Sequence, residues 1–165
     1  MNAAPSYTSG TSTAPLLGDT IGANLARTVA RFADRDALIE HATGRRWTYR
    51  ELADSVDVVA LGLLALGVGK GDRIGIWAPN CAEWTLVQHA TAKVGAVLVN
   101  INPAYRSHEL QFVLKQAGVR TLIATPSFKS SDYAAMIAEV QPSCPSLRDV
   151  ILIGRPEWDT RGRGH

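Results

Sequence analysis

Five polar residues lie where they could meet a ligand together: Asn80, Asn100, Asn102, Tyr105 and Arg106. They sit in or beside two polar stretches, PNCAE starting at Pro79 and NPAYR starting at Asn102, and each stretch follows an apolar run. Two such loops at the ends of neighbouring strands would offer amides, a phenol and a guanidinium, groups that bind and orient a polar substrate. Asn102, Pro103 and Tyr105 are the substrate-contact candidates. Turn chemistry explains the same residues, because Pro-Asn and Asn-Pro end strands and start turns with or without a ligand. Of the two explanations, turn chemistry has the stronger claim.

Other residues that suggest chemistry fail on their context. YTSGTSTAP (Tyr7–Pro15) has the composition of a phosphate-binding loop. Such a loop aims backbone N–H groups at phosphate from a strand-to-helix turn and adds a lysine. Here no strand precedes the segment, it holds a single glycine, and Leu16 and Leu17 stand where the lysine is wanted. Gly67-Val68-Gly69-Lys70-Gly71 suggests nucleotide binding, but it leaves a helix and enters a strand, the reverse of a dinucleotide fingerprint, so it reads as a turn. His89 has no partner visible in sequence and reads as a packed or surface histidine. Asp34 and Asp36 read as a solvated turn. No paired carboxylates, metal-ligand spacing or nucleophile elbow emerges, so no catalytic, cofactor-binding or metal-binding residue is assigned.

The elements that must position these loops follow from periodicity. Arg73–Ala78 (RIGIWA) and Ala96–Ile101 (AVLVNI) are apolar runs ended by Pro79-Asn80 and Asn102-Pro103. Runs this apolar predict strands covered on both faces, as in a parallel sheet. The helical pattern between them, Ala82–Val94, has the length of a crossover, which makes a βαβ unit and puts both loops on one sheet edge. Further strands are expected at Arg120–Thr125 and Asp149–Ile153. Ser107 is expected to cap a helix carrying Leu110, Val113, Leu114 and Ala117, and Ser131 to start one carrying Tyr133, Met136, Ile137 and Val140. Upstream, Asp19 or Thr20 can cap a helix with Ile21, Leu25, Val29 and Phe32 on its apolar face. Ala37–His41 and Arg46–Thr48 read as a hairpin about Thr43-Gly44-Arg45. Thr48 and Glu51 have capping-box spacing before the stripe Leu52, Val56, Val59, Leu63 and Leu66, with Gly67 as its stop. Strands alternating with helices make the fold class α/β, a doubly wound and mostly parallel sheet with crossover helices.

Composition bounds the partners. The chain has 165 residues, 17 basic against 15 acidic, and a net charge of +2, too small and too evenly spread to argue for nucleic acid. No apolar stretch reaches the ~18 residues of a membrane span, and the start lacks a signal-peptide pattern. Cys81 and Cys144 lie far apart, which argues against zinc or a disulfide framework and fits a reducing cytoplasm. Residues 1–18 are expected to be a flexible tail and 155–165, with Arg155, Arg161 and Arg163, an unstructured one, flanking an α/β unit over 19–154.

Three segments then resemble a known family: TGRRWTYRELADSV (Thr43–Val56), GVGKGDRIGIWAPNCAEW (Gly67–Trp84) and AKVGAVLVNINPAYRSHEL (Ala92–Leu110). Their order and spacing are similar to the opening of the adenylate-forming, AMP-binding enzymes, closest to the acyl-CoA synthetases or fatty-acid–CoA ligases. WTYRELA resembles that family's first conserved core and KVGAVLVNINP its second. SDYAAMIAEVQPSCPSLRDVILIG (Ser131–Gly154) resembles its run toward the middle of the large domain.

The resemblance implies an incomplete part of the large N-terminal domain. It implies that full-length relatives use ATP, Mg²⁺ and coenzyme A to convert a fatty acid or other carboxylic acid first to an acyl-adenylate and then to a thioester. The family's phosphate loop, metal carboxylate, ribose aspartate and C-terminal lysine map onto no residue here, so the chain alone is expected to bind no cofactor and to be inactive. Its apolar surface, left without the rest of the domain, is expected to favour self-association or docking. A non-catalytic interaction module of the same fold is the alternative. An unrelated small nucleotide-binding domain is a third reading, disfavoured because no phosphate loop follows any strand.

Overall fold

The computed structural model describes residues 10, 14 and 16–154. The tail expected over 1–18, the Tyr7–Pro15 segment and the C-terminal stretch 155–165 therefore lie wholly or largely outside the described residues.

Thr20 caps the first helix, α1 (Ile21–Phe32), its hydroxyl accepting from the Ala23 N–H at 3.1 Å. Strands β1 (Asp36–Ile39) and β2 (Arg46–Thr48) then pair antiparallel, with Gly44 at φ 73° in the turn. Helix α2 (Tyr49–Ala65) starts at the expected capping box: the Glu51 N–H donates to the Thr48 hydroxyl and the Thr48 N–H to the Glu51 carboxylate. Each bond satisfies a backbone donor that a helix start leaves free. Leu52, Val56, Ala60 and Leu63 are its buried stripe, and Gly67 at φ 72° ends it.

Four strands form the main sheet: β3 (Arg73–Trp77), β4 (Val97–Asn100), β5 (Thr121–Ala124) and β8 (Asp149–Leu152). All pairings are parallel and the order is β4-β3-β5-β8. Helix α3 (Ala82–Val94) joins β3 to β4, and α4 (Ser107–Ala117) carries the chain back past β3 to β5. A short hairpin, β6 (Ser127–Phe128) with β7 (Ser131–Asp132), precedes α5 (Tyr133–Val140), which leads through a 3-10 turn at Gln141–Ser143 to β8.

Strand side chains alternate between two cores. Ile74, Ile76, Ile123 and Ile151 face α2 and α3, with Leu25 of α1 at the rim. Trp77, Leu122 and Ala124 face Leu110 and Leu114 of α4 and Tyr133, Met136, Ile137 and Val140 of α5. Helices on both faces and a chain that reverses direction about β3 make this the doubly wound α/β fold expected.

Three expectations need correction. β4 is an edge strand, with Val97 50% exposed and Leu98 and Val99 half-buried, so its apolar run does not mark cover on both faces. Ser107 is the first residue of α4, not its cap: Arg106 holds the cap position, and Glu109 reaches back to its N–H at 3.0 Å. Ser131 pairs in β7, and Asp132 is the residue that caps α5, accepting from the Ala135 N–H at 2.9 Å. A hydroxyl and a carboxylate have similar cap value, so local sequence could not separate Ser131 from Asp132.

Candidate functional site

Parallel pairing puts the loops after β3, β4 and β5 on the same sheet edge. β3 lies between β4 and β5, so the connections leave it in opposite directions. In an open α/β sheet this reversal leaves a crevice in which ligands bind. Two aromatic side chains pack beside this edge. Trp77, the last residue of β3, and Tyr133, the first of α5, are both fully buried and stack face to face, with centroids 3.5 Å apart and planes 4° from parallel. The Trp77 indole N–H donates to the Asn102 carbonyl at 3.0 Å, and the Tyr133 hydroxyl donates to the next carbonyl, that of Pro103, at 2.5 Å. Burial pushes the Tyr133 phenol up, which keeps it a donor.

The remaining contacts lie at the same edge. The Asn102 side-chain oxygen accepts from the Ala104 N–H at 2.9 Å, and the Tyr105 N–H donates to the Asn102 carbonyl at 3.0 Å. This is an Asx turn, the bland explanation of Asn-Pro. Arg106 donates to the Ser131 hydroxyl at 2.6 Å, and Ser107 to Glu139 at 2.6 Å, so the loops after β4 and β5 are tied across the end of β3. Tyr105 packs against the second core, while Asn80 and Asn100 are exposed. The structure thus brings Asn102, Pro103 and Tyr105 into one turn but does not gather the five polar residues about a common point. Thr125, just beyond β5, keeps a buried hydroxyl without a protein partner.

The other loop is held from below. Arg45, in the turn of the β1–β2 hairpin, reaches Glu83 in the first turn of α3 with two bonds, 2.7 and 3.2 Å, and Glu40 with its Nε at 2.9 Å. Glu40 accepts in addition from the Thr43 hydroxyl and from the Ala82 N–H, the latter at 2.9 Å. Glu40 therefore satisfies a free donor at the start of α3, where Cys81 provides no side-chain cap. Thr43, the Ala82 N–H and Arg45 hold the Glu40 carboxyl below its ordinary range, and the two carboxylates, Glu83 first, raise Arg45. Glu83 is only 9% exposed, a burial that a carboxylate tolerates when paired. Burial pushes the Cys81 thiol up, so it is no activated nucleophile.

Trp77, Tyr133, Glu40, Arg45 and Glu83 escaped sequence reasoning. Trp77 and Tyr133 pass as ordinary apolar members of a strand and a helix, and nothing in sequence signals a pairing across 38 residues from Arg45 to Glu83.

Among the described residues no three His, Cys, Asp or Glu side chains gather as a metal site. The Trp77–Tyr133 pair belongs to the core between the sheet and helices α4 and α5. No described helix is long and apolar enough to cross a membrane.

Comparison with known proteins places this arrangement. The sequence profile of the family described as AMP-binding enzyme matches residues 25–163. The medium-chain acyl-CoA ligase ACSF2, mitochondrial, of Homo sapiens is 39% identical over 87% of this chain and 23% of its own length. The putative acyl-CoA synthetase YngI of Bacillus subtilis is 40% identical over 86% of this chain and 28% of its own. The solved N-terminal domain of FACL13 from Mycobacterium tuberculosis superposes with a TM-score of 0.79 at 27% identity, covering 88% of this chain and 36% of that one. A long-chain-fatty-acid-CoA ligase, FadD1 of Archaeoglobus fulgidus, shares the fold with a TM-score of 0.81 at 21% identity, over 96% of this chain and 33% of its own. The chain thus spans about a quarter of the length of the curated relatives it matches.

Proposed function

This chain belongs to the AMP-binding enzyme family, and from that membership we propose that it is the N-terminal scaffold portion of an ATP-dependent fatty-acid–CoA ligase. In the whole enzyme a carboxylic acid would be adenylated with ATP and Mg²⁺ and then passed to the thiol of coenzyme A. In this reading the described residues contribute the βαβ framework of the large domain, and the reacting groups come from elsewhere in the whole enzyme.

The observation that carries this reading is the partial span: most of this chain aligns with acyl-CoA ligases, and it covers about a quarter of their length. At the strand-end edge Trp77 and Tyr133 stack and direct their donors to the Asn102 and Pro103 carbonyls. Adenylation rests on charge stabilisation and positioning by groups aimed at phosphate and metal, and among the described residues no three His, Cys, Asp or Glu side chains gather as a metal site. The likeness over most of this chain to acyl-CoA ligases supports the substrate class. Exposed Leu61, Leu64, Val97 and Phe112 support self-association of the chain when made alone.

A pyrophosphate-exchange assay tests the proposal. The 165-residue chain gives no exchange above blank with ATP and fatty acids, and a longer polypeptide that continues into the family's later motifs does. Exchange by the short chain overturns the scaffold reading. A longer polypeptide that exchanges with amino acids and not with fatty acids overturns the substrate class.

A further inference from the structure

We propose that His89 makes the docking of α1 onto α3 acid-sensitive. The imidazole lies in a groove of about 300 Å³ beside α1, lined with it by Leu17, Thr20, Asn24, Leu25 and Thr28. Its Nδ1 is buried and has no hydrogen-bond partner. The neighbouring hydroxyls are engaged within the α1 segment: Thr28 donates to the Asn24 carbonyl at 2.9 Å, and Thr20 accepts from the Ala23 N–H. A neutral imidazole can leave one ring nitrogen as an unused acceptor, at modest cost. An imidazolium carries an N–H on both nitrogens, so protonation puts a charge and an unmet donor into the groove.

The surrounding charges do not offset this. Asp19, which lines the same groove, is ion-paired with Arg27 of α1. Lys93, one turn further along α3, is ion-paired with Asp57 of α2. Arg31 lies over the Phe32 ring at the far end of α1. Burial is the cause that lowers the His89 pKa from its ordinary 6.5, with no relief from a neighbouring carboxylate. A histidine lowered in this way favours the docked state while neutral. That contribution is full above about pH 6.5 and is lost as pH falls below it, because the opened state binds the proton more readily.

α1 is the element that can yield. None of its residues is buried, and Leu25 is its member at the rim of the first core. Swinging it away hydrates Nδ1 and leaves the β4-β3-β5-β8 sheet intact.

Amide hydrogen exchange on the full chain at pH 7.5 and pH 5.5, corrected for intrinsic rates, tests the idea. Protection of α1 amides is expected to fall at pH 5.5, by at most about tenfold for one histidine of ordinary pKa about 6.5 in the opened state, while α2 amides hold, and His89→Leu and His89→Gln are expected to abolish the difference. Equal α1 protection at the two pH values, or the same loss in a folded variant, overturns it. Should neither variant fold, an NMR titration of the unaltered chain decides. α1 amide shifts that follow the His89 Cε1 proton with a midpoint below 6.5 support the proposal, whereas a His89 midpoint at or above 6.5, or α1 shifts at another pH, overturn it.

Discussion

Trp77 and Tyr133 come from elements on opposite sides of the β5 connection, stack face to face, and donate to the consecutive carbonyls of Asn102 and Pro103. One aromatic pair therefore fixes the turn that carries all three substrate-contact candidates. Its two donors hold the NPAYR turn at the end of β3 through backbone carbonyls. Asn102 spends its side chain on the Ala104 N–H and its carbonyl on Trp77 and Tyr105.

Tyr133→Phe keeps the stacked ring and removes one donor. Pro103 has no N–H of its own, and its carbonyl loses the bond that Tyr133 supplies, so the loss is about 1 kcal/mol, within the usual range for one hydrogen bond. Trp77→Phe removes the Asn102 bond, part of the stack and a large buried volume, and should cost about 2–4 kcal/mol. Urea denaturation of the two variants, with unchanged slope and lowered midpoints in that order, checks the clamp. In a longer polypeptide that shows activity, Asn102→Ala should lower the melting temperature and leave kcat/KM near its starting value. A selective rise in KM would show direct substrate contact instead.

Arg45→Met tests the tie between the hairpin and α3. It leaves Glu83 nearly buried without its bidentate partner and Glu40 without one of its three. Losing one partner of a buried pair costs about 3–5 kcal/mol, but the Arg45 side chain is 44% exposed and water screens part of the pair, so about 1–3 kcal/mol is expected. Combining Arg45→Met with Glu83→Gln should restore part of the loss. A double variant as unstable as the sum of the single ones would show that the two side chains act independently.

Glu40 sets an acid limit. Its carboxyl is held below the ordinary 4.5 by the Thr43 hydroxyl, the Ala82 N–H and Arg45. A depressed carboxylate contributes stability that is present above the unfolded value and lost as pH falls through the folded one. Stability of the unaltered chain should therefore decline as pH drops below about 4.5, and Glu40→Gln should flatten that decline while lowering stability at pH 7. Parallel curves for the two chains between pH 5 and pH 3 would contradict the assignment.

The sheet was legible because its signals are local. RIGIWA and TLIAT are apolar and short, Gly67, Gly95 and Gly118 stop helices in the left-handed region, and Thr48 with Glu51 forms the box that their spacing announces. What stayed hidden depends on distance. The same apolar alternation serves β3 in the centre and β4 at the edge, because the order of strands is decided by crossovers and not by the strand itself. The partners of the candidate site residues stayed hidden for a related reason. Asn102 and Tyr105 carry polar groups whether they face a ligand or a turn, and the groups that bind this turn, Trp77 and Tyr133, lie 25 and 30 residues from the carbonyls they bind.

Gly75 gives the most direct test of how tightly β3 is enclosed. Its backbone is ordinary extended strand, so left-handed freedom is not its reason for being glycine. A Cβ built there would stand 3.1 Å from Leu122 and Val119 side-chain carbons and 3.2 Å from that of Ile101. All three neighbours are buried at 1% exposure or less, so they have little room to retreat. The gain from replacing glycine in a strand, about 0.5–1 kcal/mol, is set against overpacking of about 1–3 kcal/mol. Gly75→Ala should therefore be net destabilising, by about 1–2 kcal/mol. Adding Leu122→Val, which opens space on the side where the new methyl would lie, should reduce the penalty attributable to the alanine. The check is a double-mutant cycle by chemical denaturation, with a coupling of at least about 0.5 kcal/mol between the two sites. A coupling of zero would mean that β3 absorbs the methyl by shifting as a whole, and the enclosure would be looser than these distances imply.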